Sequence, residues 1–199
     1  MEPYDPLSYD HLAESVVRTL LECETTPLPP TKKFPGAGVY AIYYTGDFEA
    51  YQPISSGDCD IPIYVGKATF SGSRTGKVTF TRTASPLFNR IRQHERSIIT
   101  VENLRLEDFK CRYLSVKEVW IKLAEEFLVK RFLPVWNVVI DGFGNHNPGK
   151  GRKDMIRPKW DTLHPGRHWA EKLRLEHSAE TIAKEVKDHF EKRRHKLGL

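Results

Sequence analysis

The sequence lacks the features of a secreted, disulfide-stabilised or membrane-spanning protein. Its three cysteines are widely spaced and none belongs to a C-x-x-C pair, so neither a disulfide framework nor a cysteine zinc site is predicted. No stretch approaches the roughly 18 apolar residues that cross a bilayer. The first residues, MEPYDPLSYDHLAES, are acidic and hold prolines where a signal peptide would be basic and then apolar. We therefore expect a cytoplasmic protein without a membrane partner.

Length and charge set the class of protein and of partner. The 199 residues are enough for one domain that buries about 70% of its unfolded surface. We predict a single domain over residues 1–199, with its core at about 36–140, an N-terminal helix and a C-terminal extension. Lysine plus arginine number 31 against 26 acidic residues, which gives a net charge of +5. This excess favours a polyanion such as DNA or RNA, but many basic proteins bind neither.

The apolar pattern predicts a mixture of strands and helices. Residues 39–44 are all apolar or aromatic, which is typical of a central strand buried on both faces. Residues 61–65 and 109–114 are predicted as two further strands. Residues 25–38 hold four prolines and are expected to form an extended linker. Amphipathic helices are predicted from Ser8 through Leu21, over residues 87–98 and 116–132, and from Ser178 through Phe190.

The helix predicted over residues 87–98 separates its charged side chains into two groups. Arg90 and His94, at positions i and i+4, border the apolar stripe, whereas Arg92 and Arg96 point to the opposite side. We expect the first pair to face inward. Without further context, an exposed pair on the helix surface is the simpler interpretation.

The helix predicted over residues 116–132 carries two adjacent glutamates in different settings. Glu126 lies in a polar row with Lys122 and Lys130, at i−4 and i+4. Glu125 shares an edge with apolar residues of the same helix. We predict that Glu126 is solvated and that Glu125 is half-buried, although a salt bridge would explain such a glutamate equally well.

Several side chains together have the chemistry that phosphodiester hydrolysis requires. Tyr40 or Tyr64, with a phenol pKa of about 10, could orient or deprotonate water if a neighbour such as His94 accepted the proton. Arg90 offers a bidentate guanidinium for a phosphoryl oxygen. Glu125 offers a carboxylate for Mg²⁺, which needs only one or two protein carboxylates when substrate phosphate fills other positions.

Each of these residues also has a structural interpretation. A tyrosine in a strand usually packs, and Asn137 after a helix can simply close a turn. His146 between two asparagines suggests an H-N-H nuclease motif, but flanking metal-ligand histidines are missing. His164 and His168 have the spacing of a zinc pair on a helix, but Pro165 and Gly166 lie between them, so zinc is disfavoured.

The order of these motifs resembles the GIY-YIG nuclease superfamily over about residues 36–137. The elements are Gly38-Val39-Tyr40, Tyr64-Val65-Gly66-Lys67, then Arg90 with His94, Glu125 and Asn137. The sequence around these motifs is similar to that of the type II restriction endonucleases built on that fold. The similar segments are GAGVYAIYYTG, PIYVGKA, LFNRIRQH, PVWN with DGFGN, and HPGRHWAEK. Valine replaces the central isoleucine of both tripeptides, and the 24 positions from Tyr40 to Tyr64 are a longer interval than usual.

The resemblance implies an α+β fold, with a small antiparallel sheet of about three strands flanked by helices, and metal-dependent cleavage of double-stranded DNA. It implies Mg²⁺ (or Mn²⁺) as cofactor and no nucleotide cofactor. The implied roles, in chain order, are a general base or water-positioning phenol at Tyr40, assistance at Tyr64, phosphate contact at Lys67, charge stabilisation at Arg90, help to Tyr40 from His94, metal binding at Glu125, and orientation of site groups by Asn137.

DNA contacts are predicted at basic and polar residues of three loops and at the lysine that follows the second tyrosine motif. They are Lys67, Arg74, Lys77, Arg82, Asn145, His146, Lys150, Arg152 and Arg167. The resemblance further suggests a G/C-rich site of six base pairs such as CCGCGG. A palindromic site presents two equivalent strands, so we expect a homodimer, with a tetramer as the other possible assembly.

Two other functions are compatible with the motifs. A GIY-YIG enzyme of DNA repair or homing would normally add a separate DNA-binding domain, for which little chain remains. A DNA-binding module that kept the fold without catalysis is disfavoured because the motif positions keep reactive side chains. We therefore predict a hydrolase, a restriction endonuclease.

Overall fold

A four-stranded antiparallel sheet lies at the centre of the described part of the chain. The structure, a computed structural model, describes residues 8–70, 83–147 and 155–197. The strands β1 (Thr26–Pro27), β2 (Gly38–Tyr44), β3 (Pro62–Ala68) and β4 (Phe109–Ser115) stand in the order β1-β4-β2-β3. The predicted sheet of about three strands thus gains the two-residue β1, which lies within the predicted linker. The edge strand β3 is the one that carries the second tyrosine motif.

Helices cover both faces of this sheet, so the fold class is α+β, as predicted. The helices are α1 (Tyr9–Glu22), α2 (Pro86–Ile99), α3 (Glu118–Phe132), α4 (Val135–Val138), α5 (Lys159–Leu163), α6 (His168–Glu171) and α7 (Ala179–Leu197), and short 3-10 helices cover Glu49–Ile54 and Leu106–Asp108. Within the described ranges, no helix is both long and apolar enough to cross a membrane.

The central strand β2 is buried along its whole length, which confirms the prediction from its apolar run. Successive side chains of a strand point to opposite faces of the sheet. The odd-numbered residues from Val39 to Tyr43 pack in the core that includes α1 and α3. The even-numbered residues from Tyr40 to Tyr44 pack in the core that includes α2, α5 and α7. Two helical layers therefore enclose the sheet, and Tyr40 faces α2.

The two terminal helices begin at the predicted caps. The Ser8 hydroxyl accepts a hydrogen bond from the His11 amide at 3.4 Å, and the Ser178 hydroxyl accepts one from the Thr181 amide at 3.2 Å. Such bonds satisfy amides that the first turn of a helix leaves without a partner.

The C-terminal segment completes the core on the Tyr40 side. Trp160, Ile182 and Val186 are fully buried in the same cluster as Tyr40. Residues 155–197 are therefore part of the structural core and not only a surface extension.

A buried polar network joins this segment to the 3-10 helix at residues 49–54. The Trp136 indole donates to the Tyr51 hydroxyl at 2.8 Å, and Tyr51 is bonded to Nε2 of His164 at 2.6 Å. Nδ1 of His164 lies 2.9 Å from Oδ1 of Asn103, whose amide group donates to the Leu163 carbonyl. Tyr51 therefore donates to Nε2, and the imidazole is neutral with its proton on Nδ1. Burial, helped by the charge of Arg167, lowers the pKa of His164 to about 3.

This network should make the protein sensitive to acid. His164 stays neutral in the folded protein down to about pH 3, whereas in the unfolded chain it gains a proton below about pH 6.5. The unfolded state then binds more protons, so the free energy of unfolding should fall as pH decreases from about 6.5, by about 1.4 kcal/mol per pH unit once the unfolded imidazole is charged. Urea denaturation at pH 7, 5.5 and 4.5 measures this loss.

The matched variants are His164→Gln and His168→Gln. The first should have the shallower pH dependence of stability. The second should behave as the wild type, since the side chain of His168 is 92% exposed. Equal pH dependence in the wild type and His164→Gln would contradict this account.

Candidate active site

The two motif tyrosines lie on one face of the neighbouring strands β2 and β3. Tyr40 is paired with Gly66 in the sheet and Ile42 is paired with Tyr64, and the two tyrosine rings are 6.2 Å apart. A Cβ atom at Gly66 would lie 2.4 Å from the Tyr40 hydroxyl. Only glycine leaves room for the Tyr40 side chain there, so the glycine of the second tripeptide makes space for the tyrosine of the first.

A short hydrogen bond joins Tyr40 to His94. The Tyr40 hydroxyl lies 2.6 Å from Nε2 of His94, and both residues are buried. The ring of His94 also contacts that of Tyr64 at 5.1 Å. The prediction that His94 faces inward from α2 is confirmed, while Arg92 on the opposite side is exposed.

Burial keeps both partners of this bond neutral at neutral pH. It raises the pKa of Tyr40 well above its usual value, so the phenol keeps its proton. It lowers the pKa of His94 well below the usual range, and the charges of Arg90 and His146 act in the same direction. Nδ1 of His94 is buried without a hydrogen-bond partner among the described residues. When Nδ1 carries the proton, Tyr40 donates to Nε2, which is then an available base.

Arg90 places a positive charge beside the two phenols. Its charge lowers the pKa of Tyr64 and of Tyr40, against the larger effect of burial. The guanidinium donates from Nη1 to Oε1 of Gln93 at 3.0 Å, and this contact fixes one end of the fork. The guanidinium also interacts with the phenols of Tyr40 and Tyr64, and Arg90 is partly exposed.

Glu125 reaches the site from α3 and forms an ion pair with Lys67 of β3. Its side chain is 22% exposed, whereas that of Glu126 is 59% exposed and pairs with Lys122 at 3.6 Å. The predicted difference between the two glutamates is therefore confirmed. The charge of Glu125 raises the pKa of Tyr64, although less than burial does.

Asn137 is bonded to the backbone of the edge strand β3. Its side-chain oxygen accepts from the Val65 amide at 2.9 Å, and its side-chain nitrogen donates to the Val65 carbonyl at 2.9 Å. The side chain thus stands in for a neighbouring strand at the residue that follows Tyr64. Its predicted role of orienting groups at the site stays a prediction, for which this geometry offers a route through the backbone.

The loop over residues 141–147 closes the site beside α2. The Phe143 ring is stacked on the His94 ring, with centroids 4.5 Å apart and planes 13° apart. A Cβ atom at Gly144 would lie 2.7 Å from Nη2 of Arg90, so the loop backbone lies directly against the guanidinium. Phe143 and Gln93 were not predicted from the sequence as site residues. The signal for Phe143 was one large apolar residue between two glycines in an otherwise polar loop.

Arg167, one of the predicted DNA contacts, is largely buried. Arg167 is 7% exposed and is bonded to the carboxylate of Asp161 and to backbone carbonyls of the 141–147 loop. Its hydrogen-bond donors are thus occupied inside the protein, and its predicted contact with DNA stays a prediction. Sequence reasoning missed Asp161 as its partner because the side chains are six residues apart and meet only through a turn.

The other predicted DNA contacts fall into two groups. Lys67, Asn145 and His146 are described, and the last two are exposed in the loop that carries Phe143. The remaining five lie outside the described residues: Arg74, Lys77, Arg82, Lys150 and Arg152.

An open cleft of about 480 Å³ adjoins this cluster. Gln93 and Arg96 of α2 form one wall, and the segments 145–147 and 166–169 form the other. Among the described residues that line it, none carries a carboxylate. The basic or imidazole side chains in the lining are those of Arg96, His146, Arg167 and His168, of which Arg167 is paired with Asp161. The cleft is therefore suited to a polyanion, and it meets the site at Gln93, the partner of Arg90.

Glu125 brings a half-buried carboxylate, ion-paired with Lys67, to the cluster. The described residues contain no group of three or more histidine, cysteine or acidic side chains placed to hold a metal ion. Mg²⁺ keeps several waters and often binds through one carboxylate plus substrate phosphates, so a single half-buried Glu125 is compatible with it.

The family model of the Eco29kI GIY-YIG domain matches residues 32–190, which is most of the chain. The chain belongs to this family. It is a family of type II restriction endonucleases with the GIY-YIG fold, so the chain carries a restriction-type nuclease domain, and DNA is its substrate class. A comparison with curated proteins gives no match. The matched range of the GIY-YIG domain extends past Asp161 and Arg167 into α7, so the C-terminal segment belongs to the family domain.

Asn137 provides a test of how the edge strand is held. In Asn137→Leu the Val65 amide and carbonyl lose both partners, which should lower the free energy of unfolding by about 1–3 kcal/mol. Asn137→Asp keeps the acceptor and loses the donor, so it should lie between the wild type and the leucine variant. Urea denaturation measures the three proteins.

Asn89→Leu, on the exposed side of α2, is the matched control and should change stability by less than about 0.5 kcal/mol. If Asn137→Leu were as stable as this control, the side-chain bonds to Val65 would not be holding β3.

Proposed function

We propose that the protein is a type II restriction endonuclease that hydrolyses double-stranded DNA at a short, G/C-rich palindrome, with Mg²⁺ or Mn²⁺ as cofactor. The observation that carries the proposal is the hydrogen bond between Tyr40 and His94, with Arg90 beside the two phenols. Glu125 of α3 supports it, since its charge acts on Tyr64 of the same cluster. A phenol bonded to a neutral imidazole, a partly exposed guanidinium and a half-buried carboxylate are the groups that phosphodiester hydrolysis needs.

The Tyr40–His94 pair supports general-base catalysis by relay. Because burial raises the pKa of Tyr40, the phenol is protonated and cannot take a proton without losing its own. Attacking water therefore gives its proton to the Tyr40 oxygen while Tyr40 gives its proton to Nε2 of His94, 2.6 Å away. Since burial lowers the pKa of His94, the imidazole stays a free base through mildly acidic pH.

The remaining groups act on the phosphate. Arg90 faces the negative charge that gathers on the phosphoryl oxygens, and its contact with Gln93 orients it. Tyr64 lies beside Tyr40 and helps to position the water or the phosphate. Glu125 would hold the metal ion, with Lys67 next to the same phosphate. When bound, the ion supplies charge stabilisation at the leaving oxygen.

A homodimer is the assembly that fits this site. Each chain offers one set of catalytic residues, and a duplex palindrome needs two cuts related by a two-fold axis. Sedimentation of the free and DNA-bound protein tests the dimer against a monomer and a tetramer.

The glutamate pair of α3 gives a matched test of the catalytic assignment. Glu125→Gln should slow cleavage of plasmid DNA in Mg²⁺ by about two orders of magnitude or more, because a metal ligand is lost, while DNA binding persists. Glu126→Gln, one residue away and exposed, should cut normally. Normal cutting by Glu125→Gln with loss in Glu126→Gln would overturn the site.

The same assay decides between the candidate functions. Discrete fragments that require Mg²⁺ and disappear with a chelator are the result expected of a restriction enzyme. Random nicks would indicate a repair enzyme, and intact DNA that is nevertheless bound would indicate a non-catalytic module.

Arg96 tests whether DNA follows the cleft along α2. If Arg96 contacts a backbone phosphate, Arg96→Gln should weaken binding uniformly across sequences and reduce the slope of log affinity against log salt by about 0.9. Arg131→Gln removes the same charge from an exposed position of α3, and its slope should match the wild type. Equal slopes in all three proteins would place the DNA elsewhere.

A further inference from the structure

The guanidinium of Arg167 is buried between aromatic rings and paired with a carboxylate. Nε lies 2.5 Å from Oδ1 of Asp161, and Nη2 lies 2.7 Å from Oδ2. The rings of Trp160 and Trp169 lie 4.5 Å and 5.0 Å from the guanidinium carbon. This bidentate, aromatic-lined contact fixes both the position and the plane of the group.

The outward side of the same guanidinium holds the loop that closes the active site. Nη2 donates to the Gly142 carbonyl at 2.9 Å, and Nη1 donates to the Asn145 carbonyl at 3.0 Å and to the Phe143 carbonyl at 3.5 Å. Three carbonyls within four residues of backbone thus converge on one side chain. Only the five donors of an arginine fork can serve a carboxylate and three carbonyls at once, so lysine cannot replace it.

The other side of this loop lies on His94 and Arg90. The Phe143 ring is stacked on the His94 ring at 4.5 Å and also contacts Tyr64 at 5.1 Å. A Cβ atom at Gly144 would lie 2.7 Å from Nη2 of Arg90 and 3.4 Å from Cε1 of His94. The loop is therefore in direct contact with two of the catalytic side chains.

We propose that Arg167 is a positioning residue of the cleavage reaction: through the loop it holds, it keeps Phe143 stacked on His94, which seats the imidazole against Tyr40 and excludes water from it. The proposal rests on the proposed function, in which His94 accepts the proton. It assigns a role in the reaction to a basic residue whose hydrogen-bond donors are occupied inside the protein.

The charged and titratable groups around His94 make the effect measurable. Tyr40 of β2 and Tyr64 of β3 face it, Arg90 lies on its own helix, and His146 lies in the loop. Phe143 is the apolar cover. If the cover loosens, water enters and a protonated imidazole becomes less costly, so the pKa of His94 should rise toward its usual value.

The test compares Arg167→Lys and Phe143→Leu with Arg157→Lys. Arg157 is the matched control, because it also donates to backbone carbonyls of the C-terminal segment, at Ala170 (3.1 Å) and Glu171 (2.5 Å), but holds no part of the 142–145 loop. The pKa of His94 is followed by NMR of histidine-labelled free protein, with His94→Asn to assign the signal. The pH profile of single-turnover cleavage is measured in parallel.

In Arg167→Lys and Phe143→Leu, we expect His94 to titrate at higher pH. The acidic side of the pH profile of single-turnover cleavage, its acid limb, should shift to higher pH by the same amount. A displacement of about one pH unit corresponds to a tenfold loss of rate below the limb. KM should change little, since the DNA contacts remain. Arg157→Lys should keep the wild-type titration and pH profile, even if its thermal stability falls.

The double variant Arg167→Lys/Phe143→Leu should displace the limb no further than either single variant, because both act through the same loop. If Arg167→Lys does not fold, Gly144→Ala replaces it, since the added Cβ forces the loop off Arg90. Unchanged titration of His94 in Phe143→Leu and in the second variant would overturn the proposal. The NMR titration needs no cleavage. A protein that fails to cut DNA would refute the proposed function and the role in cleavage, whereas the titration would still show whether Arg167 and Phe143 hold the environment of His94.

Discussion

The buried hydrogen bond between Tyr40 and His94 joins the central strand to α2, and the rest of the site is arranged around it. At 2.6 Å, with both residues buried, the bond satisfies two polar groups that would otherwise each cost about 1–3 kcal/mol. The geometry is therefore enforced by folding itself. Burial also makes both partners neutral, which leaves the imidazole ready to accept a proton. A single contact thus serves packing and chemistry.

The position of β3 at the edge of the sheet makes the site accessible to a large polyanion. Tyr64 and Lys67 are three positions apart and so point to opposite faces of the sheet. Groups from α2 and α3 can meet only around an edge, and β3 is that edge. An open edge would leave backbone groups unpaired, and Asn137 meets this need at Val65 without adding a strand. The strand keeps its register while its outer side remains accessible.

The basic residues near the site lie in two different environments. Arg96 is exposed in the cleft beside α2 and is free to meet phosphate. Arg167 lines the same cleft, but its hydrogen-bond donors are bonded to Asp161 and to three backbone carbonyls. Its guanidinium holds the loop that carries Phe143 by donating to the carbonyls of that loop. A guanidinium can bind a phosphate of DNA or can bind carboxylates and carbonyls within the protein. The number and position of the acceptors around it determine which of the two it does.

The sequence by itself determined the three longer strands, the four longer helices and the inward or outward direction of several of their side chains. The apolar run of β2, the inward pair Arg90 and His94, and the contrast of Glu125 with Glu126 follow from periods of two and 3.6 residues, which are local properties. The order of the motifs along the chain indicated the GIY-YIG family. Only the tertiary structure decided that Arg167 is buried and that Phe143 covers His94. Those contacts join residues across 6 to 49 positions through the path of loops, and no periodic pattern records where a loop will lie.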